Sequence, residues 1–160
     1  MRHASFPPVV KTNIRILVLG SLPGAASLAA SRYYAHPRNQ FWRLIGDALG
    51  VALVPLSYEA RLQALLDRCV GLWDVLADAE REGSLDAAIR NETANDLTRL
   101  VETLPNLQTI AFNGGTAARI GLTALGPIAN RYRCLALPSS SPAHAIPYER
   151  KLARWQELAA

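Results

Sequence analysis

Polar and aromatic residues are concentrated between positions 33 and 42, which read Tyr-Tyr-Ala-His-Pro-Arg-Asn-Gln-Phe-Trp. Tyr34 offers a ring that stacks on a flat base, Arg38 a charge for a phosphate, and Asn39 an amide for a polar edge. Asn39 is equally suited to cap a helix that begins at Gln40. We expect His36 to order this loop. The segment therefore predicts a site for a base that carries a phosphate.

A second polar segment, residues 138–144, reads Pro-Ser-Ser-Ser-Pro-Ala-His. Hydroxyl groups and backbone N–H groups are the usual partners of phosphate oxygens. A plain surface loop does not require three serines beside a histidine. This segment therefore predicts phosphate contacts.

Two further polar residues follow apolar runs of the chain. Asp74 comes after the run 69–73, and Asn113 comes after the run 107–112. Each has an ordinary structural explanation, since Asp caps helices or turns and Asn favours a turn before two glycines. Each is also placed to hydrogen-bond a ligand, and both explanations stay open.

The loop 20–27 reads Gly-Ser-Leu-Pro-Gly-Ala-Ala-Ser. It lacks the lysine and the spacing of a phosphate-binding P-loop, and it does not match the dinucleotide-binding fingerprint. Its two glycines let the backbone approach a ligand closely.

The elements that carry these loops alternate between strands and helices. β-Branched apolar runs predict strands over 14–20, 107–112 and 132–137, and the ambiguous segment 69–76 is interpreted as a short strand that runs into a loop. Apolar residues at helical spacing predict helices over 41–49, 58–68 and 97–104, after 115 and from 147. This alternation predicts a parallel sheet covered by helices on both faces. Ligands bind such sheets beyond the carboxyl ends of the strands, here the loops 20–40, 73–82, 113–116 and 138–144.

The composition limits the class of protein. The chain has 160 residues, half of them hydrophobic and 19% charged, which predicts one domain over residues 1–160, with 1–12 as a loosely ordered N-terminal arm. No apolar run approaches the length of about 18 residues that a membrane span needs, and no signal-peptide core of about 7–15 residues is present, so we expect a cytoplasmic protein. We expect a monomer.

Cysteine and histidine usage gives no sign of a metal centre. Two cysteines and three histidines match no zinc spacing and are too few for a four-cysteine iron–sulfur cluster. We expect neither metal nor cofactor, and we interpret Cys69 and Cys134 as core residues.

The charges are unevenly distributed along the chain. The net charge is +4, with basic residues near both ends and an acidic stretch over 59–102. If the fold brings the ends together, it creates one positive face, which is typical of nucleic-acid binding. A basic enzyme without a nucleic-acid partner fits the charge equally well.

Several of these segments together resemble one protein family. The strand followed by Gly-Ser-Leu-Pro-Gly, the block Tyr-Ala-His-Pro-Arg-Asn-Gln-Phe-Trp, and the later Ala-Phe-Asn-Gly-Gly and Leu-Pro-Ser-Ser-Ser-Pro-Ala-His resemble the uracil-DNA glycosylase superfamily. The chain is most similar to the hypoxanthine-DNA glycosylase branch, and next to the mismatch-specific uracil/thymine glycosylases. The resemblance covers about residues 14–158.

This resemblance implies a fold and an activity. The fold is a three-layer α/β/α sandwich with a central, mostly parallel four-stranded sheet. The activity is removal of a deaminated base, preferably hypoxanthine, from double-stranded DNA by base flipping and hydrolysis of the N-glycosidic bond. Neither a metal nor a cofactor is implied.

The resemblance also assigns roles to residues. It places the catalytic amide at Asn39. The implied base-binding residues are Gly20, Ser21, Tyr34, Asp74, Asn113 and Ser139. The implied DNA-binding residues are Ser27, Arg38, Ser140, Ser141 and His144.

Two positions depart from the family pattern. Leu22 stands where the mismatch-specific branch carries an asparagine, and Ala143 stands where some relatives insert a leucine wedge into the duplex. Two alternatives therefore remain: a uracil- or thymine-directed glycosylase on the same scaffold, and a non-catalytic base- or nucleotide-binding module in which Leu22 marks lost activity.

Overall fold

The computed structural model describes residues 1–159. Its strands are β1 (Arg2–Ala4), β2 (Ile16–Gly20), β3 (Val70–Asp74), β4 (Leu76–Glu80), β5 (Arg90–Ala94), β6 (Thr109–Asn113) and β7 (Arg133–Leu137). Its α-helices are α1 (Ala25–Ala30), α2 (Phe41–Leu49), α3 (Tyr58–Asp67), α4 (Leu97–Glu102), α5 (Gly115–Leu125) and α6 (Tyr148–Trp155). Short 3₁₀ segments cover Asp86–Ala88, Gly126–Arg131 and Gln156–Ala159.

Four strands form the central sheet in the order β3-β2-β6-β7, and every neighbouring pair is parallel. Alternate residues of β2 point to opposite faces of the sheet. Leu17 and Leu19 enter the core that includes α4 and α5, whereas Val18 enters the core that includes α2, α3 and α6. Helices therefore cover both faces, and the predicted α/β/α sandwich is confirmed.

The helix boundaries follow local sequence signals. Phe41, Leu44, Ile45 and Ala48 recur at helical spacing and are buried on α2. The helix ends at Gly50, whose φ of +72° favours glycine. The predicted helices over 41–49, 58–68 and 97–104 are confirmed to within two residues at their ends.

A second sheet, which the sequence analysis did not predict, has three antiparallel strands in the order β1-β4-β5. We expected a loop over 73–82, but β4 lies there, and residues 2–4 of the expected N-terminal arm pair with β4 as β1. Arg2 forms an ion pair of 2.6 Å with Asp78 on β4. These strands were missed because they are short and polar, and β5 is exposed along its whole length, so no apolar alternation marks them.

No helix in the described residues 1–159 is long and apolar enough to cross a membrane.

Candidate active site

A cleft with a volume of about 760 Å³ opens where the strands of the central sheet end. Its size is within the range of about 300–1,000 Å³ that is usual for small-molecule sites. The four loops predicted to carry the chemistry all contribute to its walls. The cleft is lined by every residue given a role above: Gly20, Ser21, Ser27, Tyr34, Arg38, Asn39, Asp74, Asn113, Ser139, Ser140, Ser141 and His144.

Asn39 is half-buried on the wall of this cleft. Its Oδ1 accepts a hydrogen bond of 3.0 Å from the backbone N–H of Phe41, in the first turn of α2. The side chain therefore stabilises the start of the helix, as one of the two interpretations expected. Because a backbone N–H only donates, this bond fixes which end of the amide is Oδ1. The Nδ2 group, which has no protein partner among residues 1–159, remains a donor for a ligand or a water molecule.

The loop that carries Asn39 is ordered by contacts within it. His36 Nδ1 accepts a hydrogen bond of 3.0 Å from the Arg38 N–H, and the His36 carbonyl accepts one of 3.0 Å from the Asn39 N–H. The Gln40 N–H donates to the Ser140 carbonyl at 3.0 Å. His36 thus has the ordering role that the sequence predicted. The loop is also tied to residues 138–144, here called the serine segment.

Tyr34 lies between the hydrophobic core and the cleft. Its ring stacks on Phe41, with a centroid distance of 3.7 Å and an interplanar angle of 13°. One face of the ring is therefore already covered, which leaves only the other face for a base. The hydroxyl oxygen is buried and makes no hydrogen bond.

Gly20, the last residue of β2, leaves room for two polar groups. A Cβ at this position would lie 2.7 Å from Asp74 Oδ1 and 2.9 Å from the Tyr34 hydroxyl oxygen. The pairing of β2 with β3 places Gly20 directly opposite Asp74. Any larger residue would displace one of these groups, so glycine is needed for their close approach.

Asp74 carries an unusual carboxyl group. The residue is 3% exposed, and its Oδ2 is buried without a hydrogen-bond partner. Burial, and after it the negative charge of Asp86, raises the pKa of this carboxyl from 3.8 to about 7, although Arg81 opposes the shift. Burial, followed by the negative charge of Asp74, also raises the pKa of Tyr34, and the nearby Asn113 side chain partly offsets this. Tyr34 therefore keeps its proton and is a hydrogen-bond donor.

Asn113 uses both ends of its amide to hold Ser140. Its Nδ2 donates to Ser140 Oγ at 2.9 Å, and its Oδ1 accepts from the Ser140 N–H at 2.8 Å. One N–H and one oxygen lone pair remain for a ligand. These two hydrogen bonds connect the end of β6 to the serine segment and give Asn113 a structural role.

Two of the serines expected to contact DNA are buried. Ser140 is 1% exposed and is bonded to Asn113. Ser27 is buried, and its hydroxyl accepts the Ala35 N–H at 3.0 Å. Each hydroxyl supports the loop behind it, and contact of either side chain with a phosphate stays a prediction.

The remaining residues of the serine segment are more accessible. Ser139 Oγ accepts the Ser141 N–H at 3.1 Å, and Ser141 Oγ accepts the Ala143 N–H at 3.2 Å. Ser139 and Ser141 are half-buried, whereas His144 is exposed. These bonds give the segment a defined shape, and each serine hydroxyl still has its hydrogen to donate.

The polar hairpin formed by β4, β5 and the residues between them, which the sequence analysis missed, forms one wall of the cleft. Asp86 Oδ1 accepts a hydrogen bond of 2.6 Å from Ser21 Oγ, and Ser84 Oγ accepts one of 2.9 Å from the Ala25 N–H. Ser21 is therefore held by Asp86 at the cleft. The Arg81 guanidinium is buried and donates to the carbonyls of Pro23 and Gly83.

Lys151 is a second residue that sequence reasoning missed. It lies on α6, is 1% exposed, and donates from Nζ to the Ser141 carbonyl at 3.2 Å. The sequence did indicate this burial, since Lys151 lies at helical spacing from Trp155 and Leu158, which are buried. A buried ammonium group thus lies directly behind the serine segment.

Leu22 packs in the core although it also borders the cleft. The side chain is 6% exposed and belongs to the apolar cluster on the α4–α5 side of the sheet. The position that holds a polar residue in the mismatch-specific branch is therefore used here for packing.

Helix α5 begins at the cleft with Gly114, Gly115 and Thr116 on its lining. The first N–H groups of a helix lack partners within it, and the helix dipole makes this end positive. The start of α5 is thus suited to stabilise negative charge in the cleft. Among residues 1–159, no group of three or more His, Cys, Asp or Glu side chains is arranged to hold a metal ion.

The fold and the site together define a class of protein. The family description "Uracil DNA glycosylase superfamily" matches residues 7–159. Because this match spans nearly the whole chain, the chain belongs to the uracil DNA glycosylase superfamily.

Individual relatives narrow the comparison. The chain is 39% identical over 159 residues to a hypoxanthine DNA glycosylase of Methanosarcina barkeri, with 98% of each chain covered. It is 40% identical over 160 residues to a hypoxanthine DNA glycosylase of Methanosarcina acetivorans, with coverages of 99% and 98%. A solution NMR structure of a candidate uracil DNA glycosylase from Methanosarcina acetivorans is also similar. It has a TM-score of 0.86 and 38% identity, and the match covers 99% of this chain and 96% of that one.

Proposed function

We propose that this protein is a DNA glycosylase that flips a deaminated base, preferentially hypoxanthine, out of double-stranded DNA and hydrolyses its N-glycosidic bond. The two relatives named above as hypoxanthine DNA glycosylases support this substrate. The observation that carries the proposal is Asn39, a half-buried amide on the cleft wall whose orientation is fixed by the Phe41 N–H. The protein acts as a monomer and leaves an abasic site.

The base must leave the helix before it can reach the cleft. A base inside a duplex is stacked and paired, so extrusion costs a few kcal/mol of unstacking. The cleft volume of about 760 Å³ accommodates a purine ring. The free face of Tyr34 stacks on the extruded base, while Ser21, Ser139 and the remaining donor and acceptor of Asn113 border it.

Phosphates on both sides of the flipped nucleotide hold the DNA in place. Arg38, His144 and Ser141 are the cleft-lining side chains suited to these contacts, since they are exposed or half-buried and each can donate a hydrogen bond. Backbone N–H groups at the start of α5 add positive partial charge. The negative charge of the flanking phosphates, held close to the sugar by these contacts, stabilises the positive charge that develops on the sugar as the glycosidic bond breaks.

Asn39 acts by orientation and not by removing a proton. An amide is a poor base, so its contribution is to hold a water molecule near the anomeric carbon through Nδ2 or the second lone pair of Oδ1. The hydrogen bond to Phe41 keeps the amide from rotating. Most of the barrier reduction then comes from fixed donors that stabilise the departing base.

A base-release assay tests this proposal. The purified chain is incubated with duplexes that carry a single deoxyinosine, deoxyuridine, deoxyxanthosine or G·T mismatch, and free base is measured. We expect hypoxanthine to be released fastest. Faster release of uracil or thymine would assign the protein to the alternative substrate on the same scaffold, and no release from any duplex would favour a non-catalytic base-binding module.

A further inference from the structure

Leu85 is an apolar side chain that is exposed at the cleft. It lies between β4 and β5, borders the cleft, and is 58% exposed. Among residues 1–159, the other large apolar side chains that are exposed do not border the cleft: Met1, Val54, Leu56 and Leu122. Leu85 is thus the large apolar side chain that this part of the chain presents to DNA entering the cleft.

Both chain neighbours of Leu85 are hydrogen-bonded to the loop on the other side of the hairpin. Ser84 Oγ accepts the Ala25 N–H at 2.9 Å. Asp86 Oδ1 accepts a hydrogen bond of 2.6 Å from Ser21 Oγ. Leu85 is therefore anchored on each side, although its own side chain has no apolar core to pack against.

The turn that carries Leu85 is also supported from below. The buried Arg81 guanidinium donates to the carbonyls of Pro23 and Gly83, and the Ala88 N–H donates to the Leu85 carbonyl at 3.0 Å. Gly83 has a φ of +69°, which favours glycine. Because its backbone is already held in place, Leu85 loses little conformational freedom when it meets a ligand.

A flipped base leaves a space in the base stack, and the faces of the bases around that space are apolar. Proteins that distort DNA insert apolar side chains, leucine among them, between base steps. Ala143, which also borders the cleft, offers only a methyl group.

We propose that Leu85, carried by the hairpin of β4 and β5, enters the base stack and fills the space left by the flipped base. This inference rests on the proposed function and gives the hairpin a role that the family resemblance does not assign. Leu85 touches neither the flipped base nor the sugar, so it is a positioning residue. Its contribution is to keep the base outside the stack, and it is therefore needed only where a paired base must be extruded.

The test measures single-turnover release of hypoxanthine from two forms of one duplex. In the first, deoxyinosine is paired with cytosine; in the second, it lies in a short unpaired loop. We expect Leu85→Ala to slow release from the paired form by about ten- to a hundredfold, the range for leaving one leucine side chain in water. Release from the unpaired form should change by less than about threefold, since no stacked pair has to be opened.

A second readout follows extrusion without relying on base release. A 2-aminopurine placed next to the paired deoxyinosine becomes more fluorescent when the stack around it opens. We expect the amplitude of this increase on binding to fall in Leu85→Ala. Leu85→Met, which keeps an apolar side chain of similar size, should restore both the amplitude and the rate.

Leu122→Ala is the matched control, because Leu122 is an exposed leucine on α5 that does not border the cleft. It should behave as the unaltered chain in both readouts, and thermal unfolding verifies that each variant is folded. Equal losses on paired and unpaired deoxyinosine, or no loss on either, would overturn the role of Leu85. Failure of the unaltered chain to release hypoxanthine from either form would instead overturn the proposed function, and the fluorescence amplitude would still report on Leu85.

Discussion

Some side chains in and beside the cleft have a buried polar atom that lacks a hydrogen-bond partner. Within residues 1–159, the buried side-chain atoms without a hydrogen-bond partner are the Tyr34 hydroxyl, Asp74 Oδ2 and Arg81 Nη1. Tyr34 and Asp74 line the cleft, and Arg81 holds the backbone of the cleft-lining residue Pro23. Each unsatisfied group costs about 1–3 kcal/mol. The chain thus gives up stability where its proposed chemistry takes place.

Asp74→Asn tests this cost through the pH dependence of stability. Because the pKa of Asp74 is raised from 3.8 to about 7 in the folded protein, the folded chain holds a proton between these values that the unfolded chain has released. Stability therefore falls as the pH rises through this range. We expect the free energy of unfolding of Asp74→Asn, relative to the unaltered chain, to increase between pH 4 and pH 8 by up to about 4 kcal/mol, as measured by urea denaturation.

Asp78→Asn provides the opposite control for this measurement. The hydrogen bond from Arg2 lowers the pKa of Asp78, so removing that carboxylate gives no relative gain at higher pH. A relative stability of Asp74→Asn that stays constant from pH 4 to pH 8 would show that the Asp74 carboxyl is not buried in its charged form.

At the scale of elements, helix α6 supports the serine segment from behind. The Trp155 indole N–H donates to the Pro138 carbonyl at 2.9 Å, and Lys151 Nζ donates to the Ser141 carbonyl at 3.2 Å. Lys151 also places a positive charge behind a loop proposed to meet phosphates. The helix therefore serves both to shape the segment and to make it electrostatically favourable for DNA.

Lys151→Met removes this charge and its hydrogen bond while preserving the apolar stem. We expect the KM for a deoxyinosine duplex to rise about tenfold, as for loss of one hydrogen bond made by a charged group. The single-turnover rate at saturation should change by less than about threefold, because Lys151 does not touch the reacting atoms. Lys11→Met, the same change at an exposed position, should leave both values unaltered. A loss in rate with an unchanged KM would contradict a role in DNA binding.

The elements also show what the sequence could and could not predict. The central strands and the helices α2, α3 and α4 were predicted because apolar residues recur with a clear period. The hairpin of β4 and β5 was missed because Arg90–Ala94 is polar and exposed throughout. Local patterns carry no information about pairing with a distant segment. Strand β1 pairs with β4, so that Arg2 lies opposite Glu80, a residue far away along the chain.

The location of the site could also be predicted from the sequence. The residues given roles all line one cleft, since the carboxyl ends of parallel strands meet at one edge of a sheet. Their individual contacts could not be predicted. The hydrogen bond between Asn113 and the buried Ser140 joins residues on different loops. No spacing in the sequence reveals such a pair.

At the scale of the whole molecule, the fold brings basic segments from both ends of the chain together. Helix α2 from the first third packs on α6 near the C-terminus through Phe41 and Trp155, whose ring centroids lie 5.8 Å apart. Arg2 is an exception, because it is paired with Asp78 in the small sheet. The acidic middle of the chain supplies the hairpin wall of the cleft.

Salt dependence tests whether this arrangement serves DNA binding. The contacts proposed for Arg38, Ser141, His144 and the start of α5 involve roughly two to four phosphates, which predicts a slope of about −2 to −4 in a plot of log affinity against log salt concentration. Fluorescence anisotropy with a labelled duplex measures this slope between low and physiological salt. A flat response would argue against the DNA substrate.

The central claim is that the amide of Asn39 positions the water that cleaves the glycosidic bond. The most direct measurement is the single-turnover release of hypoxanthine from a deoxyinosine duplex by the unaltered chain and by Asn39→Ala. Asn106→Ala, an exposed asparagine in the turn before β6, is the control, and thermal unfolding verifies that each variant is folded. We expect Asn39→Ala to lose at least about a hundredfold in rate, the range for loss of a positioned catalytic group, while Asn106→Ala keeps full activity. A folded Asn39→Ala that releases hypoxanthine at the unaltered rate would contradict the account.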